Sequence, residues 1–330
     1  MRREWTPDEL LRLSGHYWQS CTLHAAVVLD VFTHIGNDRL KRDDVAERLG
    51  GDARGVTMLL NALTAMNLLR KAKGRYFNTR EGKRFLSKDS PDYIGYIIRH
   101  HHHLAESWTR LDQAVKIGAP IRKRTSSRRE ETRESFLMGM YNMAMHVAPR
   151  LITAVDLSGR RRLLDLGGGP GTYAIHFCRQ YPGLQATIYD LPTTRPFAMK
   201  TIETFDLSDR IEFVAGNYLK KKIQGCYDAA WLSQILHAES PADCQRIIEK
   251  VVSVLEPEGV IMIHEFLLND TMDGPLFPAL FSLNMLLGTG GGQAYSQKQI
   301  MAMLVKAGVK SVRRIPFDSP NGSGIIAGKI

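Results

Sequence analysis

The sequence has few cysteines, no long apolar run, and no pair of cysteines at the two-residue spacing of a zinc or redox site. Its 330 residues include four widely separated cysteines: Cys21, Cys178, Cys226 and Cys244. This pattern excludes a disulfide scaffold and predicts reduced, mostly buried thiols and no metal site. No apolar run approaches the roughly 20 residues of a membrane span, and the first residues lack an apolar signal core. We therefore expect a cytoplasmic protein without a membrane partner.

The excess of basic over acidic residues is confined to one half of the chain. Residues 1–150 contain 26 lysines and arginines against 17 aspartates and glutamates, whereas residues 151–330 contain 18 against 17. Much of the excess lies in the run 122–133, which would suit a nucleic-acid surface. A solvated loop between helices explains such a run more simply, so we expect no nucleic-acid partner. The length and the 44% of hydrophobic residues favour two well-packed domains.

The segment 1–117 is predicted to be a mainly helical domain with a winged-helix pattern. A short helix ends at Gly50, and Asp52 can cap the next helix, which spans residues 53–66. Two strand-like segments then flank Lys73-Gly74 in the manner of a β-hairpin. Helix, turn, helix and hairpin in this order are typical of winged-helix domains.

The second helix of this pattern decides between DNA binding and packing. A recognition helix presents basic or amide side chains to base edges. Here the helix offers Arg54 and Asn61, and its other residues are apolar or small. We predict a packing or dimerisation domain, and a DNA-binding regulator remains the alternative. A run of four histidines at 100–103 points in several directions on a helix, so solvated or packed histidines are expected there.

Residues 118–158 are predicted to form a linker and a connecting helix with a methionine stripe. From residue 159 to the C-terminus, strand-like and helix-like segments alternate. This order predicts an α/β domain with a Rossmann-like parallel sheet and helices on both faces. Ligands of such sheets bind at the carboxyl ends of the strands, so the residues that follow the strands are the candidates.

The first strand of this domain ends in a glycine-rich turn, Asp165–Gly171. Glycines permit the tight turn and let a ligand approach the backbone. Their spacing is Gly-x-Gly-x-Gly, unlike the Gly-x-Gly-x-x-Gly of dinucleotide sites, which disfavours an NAD-dependent oxidoreductase. Asp190 ends the second strand and is placed to bind both hydroxyl groups of a ribose. The pattern predicts a nucleoside ligand with an amino-acid tail.

Five segments resemble, in order, the motifs of the caffeate/acetylserotonin-type small-molecule O-methyltransferases. They are Asp165–Gly171, Tyr189–Pro192, Gly216–Tyr218, Leu232–His237 and Leu255–Gly259. The resemblance covers nearly the whole chain and implies a class I methyltransferase sheet with S-adenosyl-L-methionine as cofactor. It also implies a homodimer formed through the N-terminal domain. The implied reaction is methylation of a small molecule at a hydroxyl oxygen, with C- or N-methylation as the alternative. The apolarity of the segment 277–287 fits an aromatic or quinone-like acceptor best.

The same resemblance assigns residues to the cofactor and to the acceptor. Gly167 and Gly169 would lie against the methionine moiety, and Asn217 and Tyr218 would border the adenine. The complete implied cofactor set is Asp165, Gly167, Gly168, Gly169, Asp190, Leu191, Asn217, Tyr218, Ser233 and Met143. The implied acceptor pocket is Met140, His237, Asn284 and Met285.

The chemistry calls for a base, because a phenol with a pKa of about 10 is a poor nucleophile at neutral pH. His237 follows the fourth strand and matches the catalytic histidine of the family. Glu265 ends the fifth strand and matches the acid that orients this histidine. The family commonly has His-Asp-Trp where this chain has His237-Ala-Glu, and a second orienting acid expected near Ala294 is absent. Catalysis by proximity alone and an inactive family member therefore stay open.

Two further expectations concern the second domain. The apolar segment 277–287, with the glycines that follow it, should form a lid and a wall of the acceptor pocket. A nucleic-acid methyltransferase is disfavoured, because the Asn/Asp-Pro-Pro-Tyr box of base-methylating enzymes does not follow the fourth strand.

Overall fold

The structure is a computed structural model that describes residues 4–124, 130–317, 319 and 321–330. It divides into two compact units, Met1–Ala105 and Glu106–Ile330. The predicted linker and connecting helix lie within the second unit. Residues 125–129 of the basic run lie outside the described residues. None of the described helices is long and apolar enough to span a membrane.

The first unit is mainly helical with a small antiparallel sheet. Its elements are α1 (Pro7–Gly15), α2 (Tyr17–Val28), α3 (Val31–Ile35), β1 (Leu40–Lys41), α4 (Arg42–Leu49), α5 (Ala53–Ala65), β2 (Leu69–Ala72), β3 (Arg75–Asn78), α6 (Arg80–Leu86) and α7 (Gly95–Trp108). Strand β3 lies between β1 and β2. The two helices and the hairpin that the sequence predicts are present at the expected positions.

Local chemistry explains these boundaries. Gly50 has the left-handed conformation (φ 60°) that ends α4. The side chain of Asp52 accepts a hydrogen bond from the amide of Gly55 at 3.0 Å and caps α5. Lys73 and Gly74 both have positive φ, as the tight hairpin turn between β2 and β3 requires. The predicted helix cap and turn residues are therefore confirmed.

Helix α5 uses its polar residues within the unit. The side-chain oxygen of Asn61 accepts hydrogen bonds from the hydroxyl of Tyr76 at 2.8 Å and from Nζ of Lys71 at 3.0 Å. One of the two side chains that could read DNA bases is thus bound to the hairpin. In the histidine run, His100 is buried, whereas His101 and His102 are exposed.

Helix α1 contributes no buried residue to the core of the first unit, although it is rich in apolar side chains. Leu11 is 72% exposed, and Trp18 at the start of α2 is 68% exposed. The core of the unit forms instead from the helices that follow and from β2 and β3. The N-terminal helices therefore carry an apolar surface that this chain alone leaves uncovered.

The second unit is an α/β fold. Its elements are α8 (Leu111–Ile117), α9 (Glu130–Ala154), β4 (Arg162–Leu166), α10 (Thr172–Gln180), β5 (Gln185–Asp190), α11 (Arg195–Thr204), β6 (Ile211–Ala215), β7 (Tyr227–Ser233), α12 (Pro241–Val252), β8 (Leu255–Leu268), α13 (Leu276–Gly288), β9 (Tyr295–Ser296), α14 (Gln297–Lys306), β10 (Lys310–Ile315) and β11 (Ser323–Lys329). Two short 3₁₀ turns span Pro192–Thr194 and Leu236–Ala238.

The main path through the sheet has the strand order β10-β11-β8-β7-β4-β5-β6. Strands β4 to β8 are parallel, as predicted, and the chain order reverses between β4 and β7. The expectation of a parallel sheet is wrong at one edge, because β11 pairs antiparallel with both β8 and β10. The reversal at β4 is where ligands of such sheets bind.

Alternation along the strands builds a separate core on each face. Leu163 of β4 packs in one core, whereas its neighbour Leu164 packs in the other. Helices α9, α10 and α11 cover the first face, and α12 and α14 cover the second. Because both faces are buried, the central strands are nearly continuous apolar runs. The predicted fold class, a Rossmann-like sheet with helices on both faces, is confirmed.

The cysteine predictions hold in part. All four are unpaired, and Cys178 and Cys244 are buried as expected. The expectation of burial is wrong for Cys21 and Cys226, which are exposed.

Candidate active site

The glycine-rich turn follows β4 at the point where the strand order reverses. Gly167 has φ 66°, and a Cβ atom there would lie 2.5 Å from Cγ2 of Ile235. Gly169 has φ 56°, and a Cβ atom there would meet no atom within 4 Å. Gly167 is therefore required by conformation and packing, whereas the backbone at Gly169 borders open space. A ligand can approach the chain closely at this point.

Asp165 lies beneath this turn and is 1% exposed. Its Oδ2 accepts a weak hydrogen bond from the amide of Ala174 at 3.3 Å, and its Oδ1 has no partner among the described residues. Burial raises the pKa of this carboxyl group to about 7, and the nearby charge of Asp190 acts in the same direction. Gly168 permits this arrangement, because a Cβ atom there would lie 2.7 Å from the carboxylate.

The orphaned oxygen of Asp165 and the open space at Gly169 provide a test of the expected cofactor. A buried acceptor without a donor costs free energy until a donor reaches it. The amino-acid tail of S-adenosyl-L-methionine carries an ammonium group, which is such a donor. The residues present at this end of β4 therefore fit the group that the resemblance implies.

Asp190 ends β5 and connects this strand to the glycine turn. Its Oδ2 accepts from the amide of Gly169 at 2.8 Å, and its Oδ1 accepts from the amide of Leu191 at 2.6 Å and from Oγ1 of Thr194 at 3.2 Å. Burial raises the pKa of Asp190, and these hydrogen bonds counteract that effect. A carboxylate offers about four acceptor positions, so room remains mainly on Oδ2 for a ribose hydroxyl group.

Asn217 and Tyr218 follow β6. The side-chain oxygen of Asn217 accepts from the amide of Leu219 at 2.9 Å and shapes its own turn. The hydroxyl of Tyr218 donates to Oε1 of Glu239 at 3.3 Å. Burial is the main cause that raises the pKa of the Tyr218 phenol, so the group stays neutral. The side-chain oxygen of Asn217 and the hydroxyl of Tyr218 are therefore used within the protein, and the ring of Tyr218 stays a candidate for contact with an adenine.

His237 and Glu265 form a buried pair. Nδ1 of His237 lies 2.8 Å from Oε2 of Glu265. Oε1 of the same carboxylate accepts from the amides of Leu236 at 2.8 Å and of His237 at 3.4 Å. Glu265 thus holds both the ring and the backbone of the 3₁₀ turn that carries His237. The structure brings together the two residues that the sequence predicts to act as a pair.

The position of Glu265 differs from the expectation in one respect. The sequence pattern predicts that Glu265 ends the fifth strand, whereas β8 continues to Leu268. The continuation is stabilised by β11, since Gly324 pairs with Glu265, and by β9, since Tyr295 pairs with Leu267. Both pairings join segments that are distant in sequence, so the local pattern does not indicate them.

Aromatic rings surround His237. Its ring centroid lies 4.8 Å from that of Phe281, edge to face, and 6.0 Å from that of Phe266. Phe277 lies 5.0 Å from Phe266 and stacks with Phe281. Phe277 and Phe281 come from α13, the apolar helix expected to line the acceptor pocket. The rings of Phe266 and Phe281 pack against the imidazole, and the more exposed rings of Phe277 and Phe281 offer flat surfaces to an aromatic ligand.

The glycines after α13 pack on the turn of His237. A Cβ atom at Gly292 would lie 2.4 Å from the carbonyl oxygen of His237. A side chain at this position would displace the backbone of the turn. The glycine run that the sequence suggests as part of a lid therefore also supports the candidate base.

Ser233, Met140 and Met143, which the resemblance assigns to the cofactor and the acceptor, lie on β7 and α9. Ser233 ends β7, and its hydroxyl lies 2.9 Å from Nδ1 of His264. Burial lowers the pKa of His264 to about 4, so this histidine is neutral and serves as a hydrogen-bond bridge to Ser323. Met140 and Met143 lie partly buried on α9. Their assignment to the acceptor and the cofactor stays a prediction.

Asn284 and Met285 lie on α13. The side-chain oxygen of Asn284 accepts from Nη2 of Arg122 at 3.0 Å, and Met285 is buried. Arg124 forms an ion pair with the buried carboxylate of Glu239. Arg124 is exposed, as the solvated-loop interpretation of the basic run predicts, but both arginines also bind distant side chains that this interpretation does not include. Sequence reasoning missed both, because their partners lie more than a hundred residues away in the chain.

Comparison with known proteins gives two matching family models. One describes an O-methyltransferase domain and matches residues 106–310. The other describes an O-methyltransferase dimerisation domain and matches residues 11–88. The two matches follow one another along the chain and together cover most of it.

Individual relatives are similar over nearly the full length. 3-Hydroxy-5-methyl-1-naphthoate 3-O-methyltransferase of Streptomyces sahachiroi is 34% identical over 98% of this chain and 95% of its own. Tetracenomycin polyketide synthesis 8-O-methyl transferase TcmO of Streptomyces glaucescens is 28% identical over 96% and 95%. PigF of Serratia sp. (strain ATCC 39006), an S-adenosyl-L-methionine-dependent methyl transferase, is 27% identical over 95% and 93%. The solved structure of PigF with SAH covers 99% of this chain and 100% of its own, with a TM-score of 0.90 at 26% identity.

Proposed function

Because this chain belongs to the O-methyltransferase family and uses S-adenosyl-L-methionine, we propose that its acceptor is the phenolic hydroxyl group of a small aromatic molecule. The observation that carries the proposal is the buried pair of His237 and Glu265 beside the ring of Phe281. The names of two relatives point the same way, since they refer to a naphthoate and to a polyketide.

We propose His237 as the base of the reaction. A carboxylate has no proton to donate, so the close contact with Glu265 places the ring proton on Nδ1. Nε2 is then the unprotonated nitrogen and accepts the proton of the acceptor hydroxyl group. Glu265 stabilises the positive charge that develops on the ring and, by also binding the amide of Leu236, fixes the ring position. Glu265 is therefore a positioning residue.

The cofactor supplies a methyl group that is already activated by the sulfonium. The residues of this chain have to orient the acceptor, remove its proton and exclude water. Asp165, the backbone at Gly167 and Gly169, and Asp190 are proposed to bind the cofactor. The rings of Phe277 and Phe281 are proposed to orient a flat acceptor towards His237, with the buried ring of Phe266 packed behind them. The donor and the acceptor would then meet between the end of β4 and the turn after β7.

The proposal is tested with donor labelled in the methyl group and a panel of paired aromatic acceptors. Each phenol or naphthol is paired with the analogue in which the hydroxyl group is replaced by hydrogen. We expect label transfer to the hydroxylated member alone, and a product mass and fragmentation pattern of a methyl ether. Transfer to carbon or nitrogen, or equal transfer to both members of a pair, would contradict the proposed acceptor.

We further propose that the protein works as a homodimer formed through its dimerisation domain. The support is the match to that domain and the apolar surface of α1 and α2, which this chain leaves exposed. Leu11→Asp should shift the mass measured by light scattering from dimer towards monomer. Val305→Asp, an exposed position on α14 in the second unit, should leave it unchanged. A wild-type mass of one chain would contradict the dimer.

No nucleic-acid partner is proposed, since Asn61 is already bound within its own unit and α5 is otherwise apolar or small. A gel-shift assay at physiological salt tests this, and retarded DNA would contradict it. The cytoplasmic location stays a prediction.

A further inference from the structure

A short segment, residues 121–124, links two parts of the candidate site, and we refer to it as the strap. At its beginning, the amides of Ile121 and Arg122 donate to the carbonyl oxygen of Leu287 on α13, at 3.2 and 3.1 Å. Nη2 of Arg122 donates to the backbone and side-chain oxygens of Asn284, at 3.1 and 3.0 Å. One end of the strap is thus fixed to the helix that carries Phe281.

The other end of the strap is fixed to the turn that carries His237. Nη1 and Nη2 of Arg124 donate to the two carboxylate oxygens of Glu239, at 2.8 and 2.9 Å. Nη2 also donates to the carbonyl oxygen of Ala238 at 2.7 Å. A single guanidinium group therefore holds both residues that follow His237. This combination needs the flat, forked geometry of arginine.

Burial makes this contact asymmetric. The side chain of Glu239 is 3% exposed, whereas that of Arg124 is 41% exposed. In the described part of the chain, Arg124 is the one cation that forms an ion pair with Glu239. Release of the strap would leave a buried carboxylate without a counter-charge, which is unfavourable. The turn after His237 is therefore tied to the strap more firmly than an exposed ion pair would allow.

Glu239 also contacts Tyr218, a residue of the proposed donor site. Its Oε1 also accepts from the hydroxyl of Tyr218 at 3.3 Å, and its backbone oxygen accepts from the hydroxyl of Tyr295 at 2.6 Å. The contact with Tyr218 is long, and the backbone of Tyr218 is held separately by Lys250 at 2.6 Å. The strap should therefore affect the base more than the donor site.

We infer that Arg124 is a positioning residue of the methyl-transfer reaction, which fixes the turn bearing His237 through Ala238 and Glu239. The inference rests on the proposed function of His237 as the base. Glu265 holds this turn from the side of the sheet, and Arg124 holds it from the side of the strap. The base is then fixed from both sides while an acceptor binds against α13.

The test separates charge from geometry by comparing Arg124→Lys with Arg124→Ala. Lysine restores the counter-charge of Glu239 but, as a point charge, cannot make all three hydrogen bonds at once. We expect Arg124→Ala to lower both the thermal midpoint and kcat. We expect Arg124→Lys to regain most of the thermal midpoint while kcat stays about tenfold below wild type. The KM for the donor should change by less than about threefold in both variants.

A second readout does not depend on any acceptor. The amides of Ala238 and Glu239 donate within the turn, to Ile235 at 3.2 Å and to Leu236 at 3.0 Å. Hydrogen exchange of the peptide that covers this turn should be faster in Arg124→Lys than in wild type. The matched control is Arg246→Lys, whose partner Asp243 lies on the surface of α12. This control should leave both exchange and kcat unchanged.

The outcomes are distinguishable from a failure of the proposed function. Absence of methyl transfer by the wild-type protein to every phenolic acceptor would contradict that function, while hydrogen exchange would still report whether Arg124 holds the turn. Unchanged exchange in Arg124→Lys would overturn the inference whatever the activity. Recovery of wild-type kcat by lysine would also overturn it, because charge alone would then suffice.

Discussion

The two ends of the candidate site are built in different ways. At the proposed donor end, backbone groups predominate: the turn after β4 borders open space at Gly169, and the amides of Gly169 and Leu191 hold Asp190. At the base end, side chains from separate elements converge, namely His237, Glu265 and Phe281, and Arg124 and Glu239 beside them.

The difference predicts how each end responds to mutation. A site made of backbone groups and one or two carboxylates should lose affinity when a carboxylate is removed but keep its chemistry. A site made of converging side chains should lose rate while it keeps its affinity for the donor. Variants at the two ends should therefore have opposite effects on kcat and on donor binding.

The largest effect is expected for His237→Ala. Removal of a general base lowers turnover by a factor of roughly 10²–10⁴. Donor affinity, measured by calorimetry with S-adenosylhomocysteine, should stay within about twofold, because the imidazole is bound to Glu265 and to aromatic rings. His146→Ala, at an exposed position of α9, is the control. Turnover close to wild type would favour catalysis by proximity and erase the contrast between the ends.

A smaller loss of rate is expected for Glu265→Gln. The amide can still accept from Leu236, but it offers no negative charge to the ring of His237. In metal sites, loss of the group that orients a liganding histidine typically costs about 10- to 100-fold in activity. We expect kcat to fall within this range at unchanged donor affinity, measured by steady-state kinetics with Glu203→Gln as the exposed control. A change in donor affinity at unchanged kcat would contradict this prediction, because Glu265 would then act at the donor end of the site.

The reverse pattern is expected for Asp190→Ala. The variant loses the proposed ribose contact and the acceptor that holds the amide of Gly169. Hydrogen bonds to a charged group are worth about 1.5–3 kcal/mol, which corresponds to a donor Kd weaker by about 10- to 100-fold. At saturating donor, kcat should stay within about threefold of wild type. Asp209→Ala is the exposed control, and native affinity of Asp190→Ala in calorimetry would contradict the ribose assignment.

The last effect concerns stability instead of activity, namely its pH dependence and the buried carboxyl group of Asp165. Its pKa is raised to about 7, whereas an unfolded aspartate titrates near 4. The folded state therefore retains a proton that the unfolded state loses. Stability is lost as pH rises from about 4 to about 7, by at most about 4 kcal/mol.

Asp165→Asn should remove this loss. Without donor, we subtract the thermal midpoint of the wild type from that of the variant. This difference should be a few degrees more positive at pH 8 than at pH 5. The same variant should bind S-adenosylhomocysteine more weakly, because the amide offers no charge to an ammonium group. An identical difference in midpoint at both pH values would contradict the raised pKa.

Much of the donor end could be predicted from the sequence. Asp165, the glycines and Asp190 belong to short segments at strand ends, and the α/β periodicity fixes which strand ends share an edge of the sheet. At the base end, the sequence predicted the pair of His237 and Glu265 but not the other side chains that converge on it. His237 and Glu265 were identified from a family resemblance, whereas the roles of Arg124 and Glu239 were not identified.

The misses have a common origin. The antiparallel strand β11 pairs with β8 across more than fifty residues, and the continuation of β8 beyond Glu265 also depends on β9, whose paired residues lie 28 positions away. The contacts of Arg122 with Asn284 and of Arg124 with Glu239 span more than a hundred. A run of basic residues looks the same in the sequence whether its arginines are solvated or bound to a distant group. The local pattern therefore cannot identify the buried partner of an arginine.

The sequence by itself determined the order of strands and helices, the turn at Asp165–Gly171 and the chemical type of the candidate base. The order of elements and the turn follow from backbone conformation and from hydrophobic periodicity, which act over a few residues, whereas the candidate base was identified by its match to a family motif. The tertiary structure decided which rings pack against His237 and that Arg124 binds Glu239. Such pairings depend on burial and on the close approach of distant segments, and those exist only after the chain has folded.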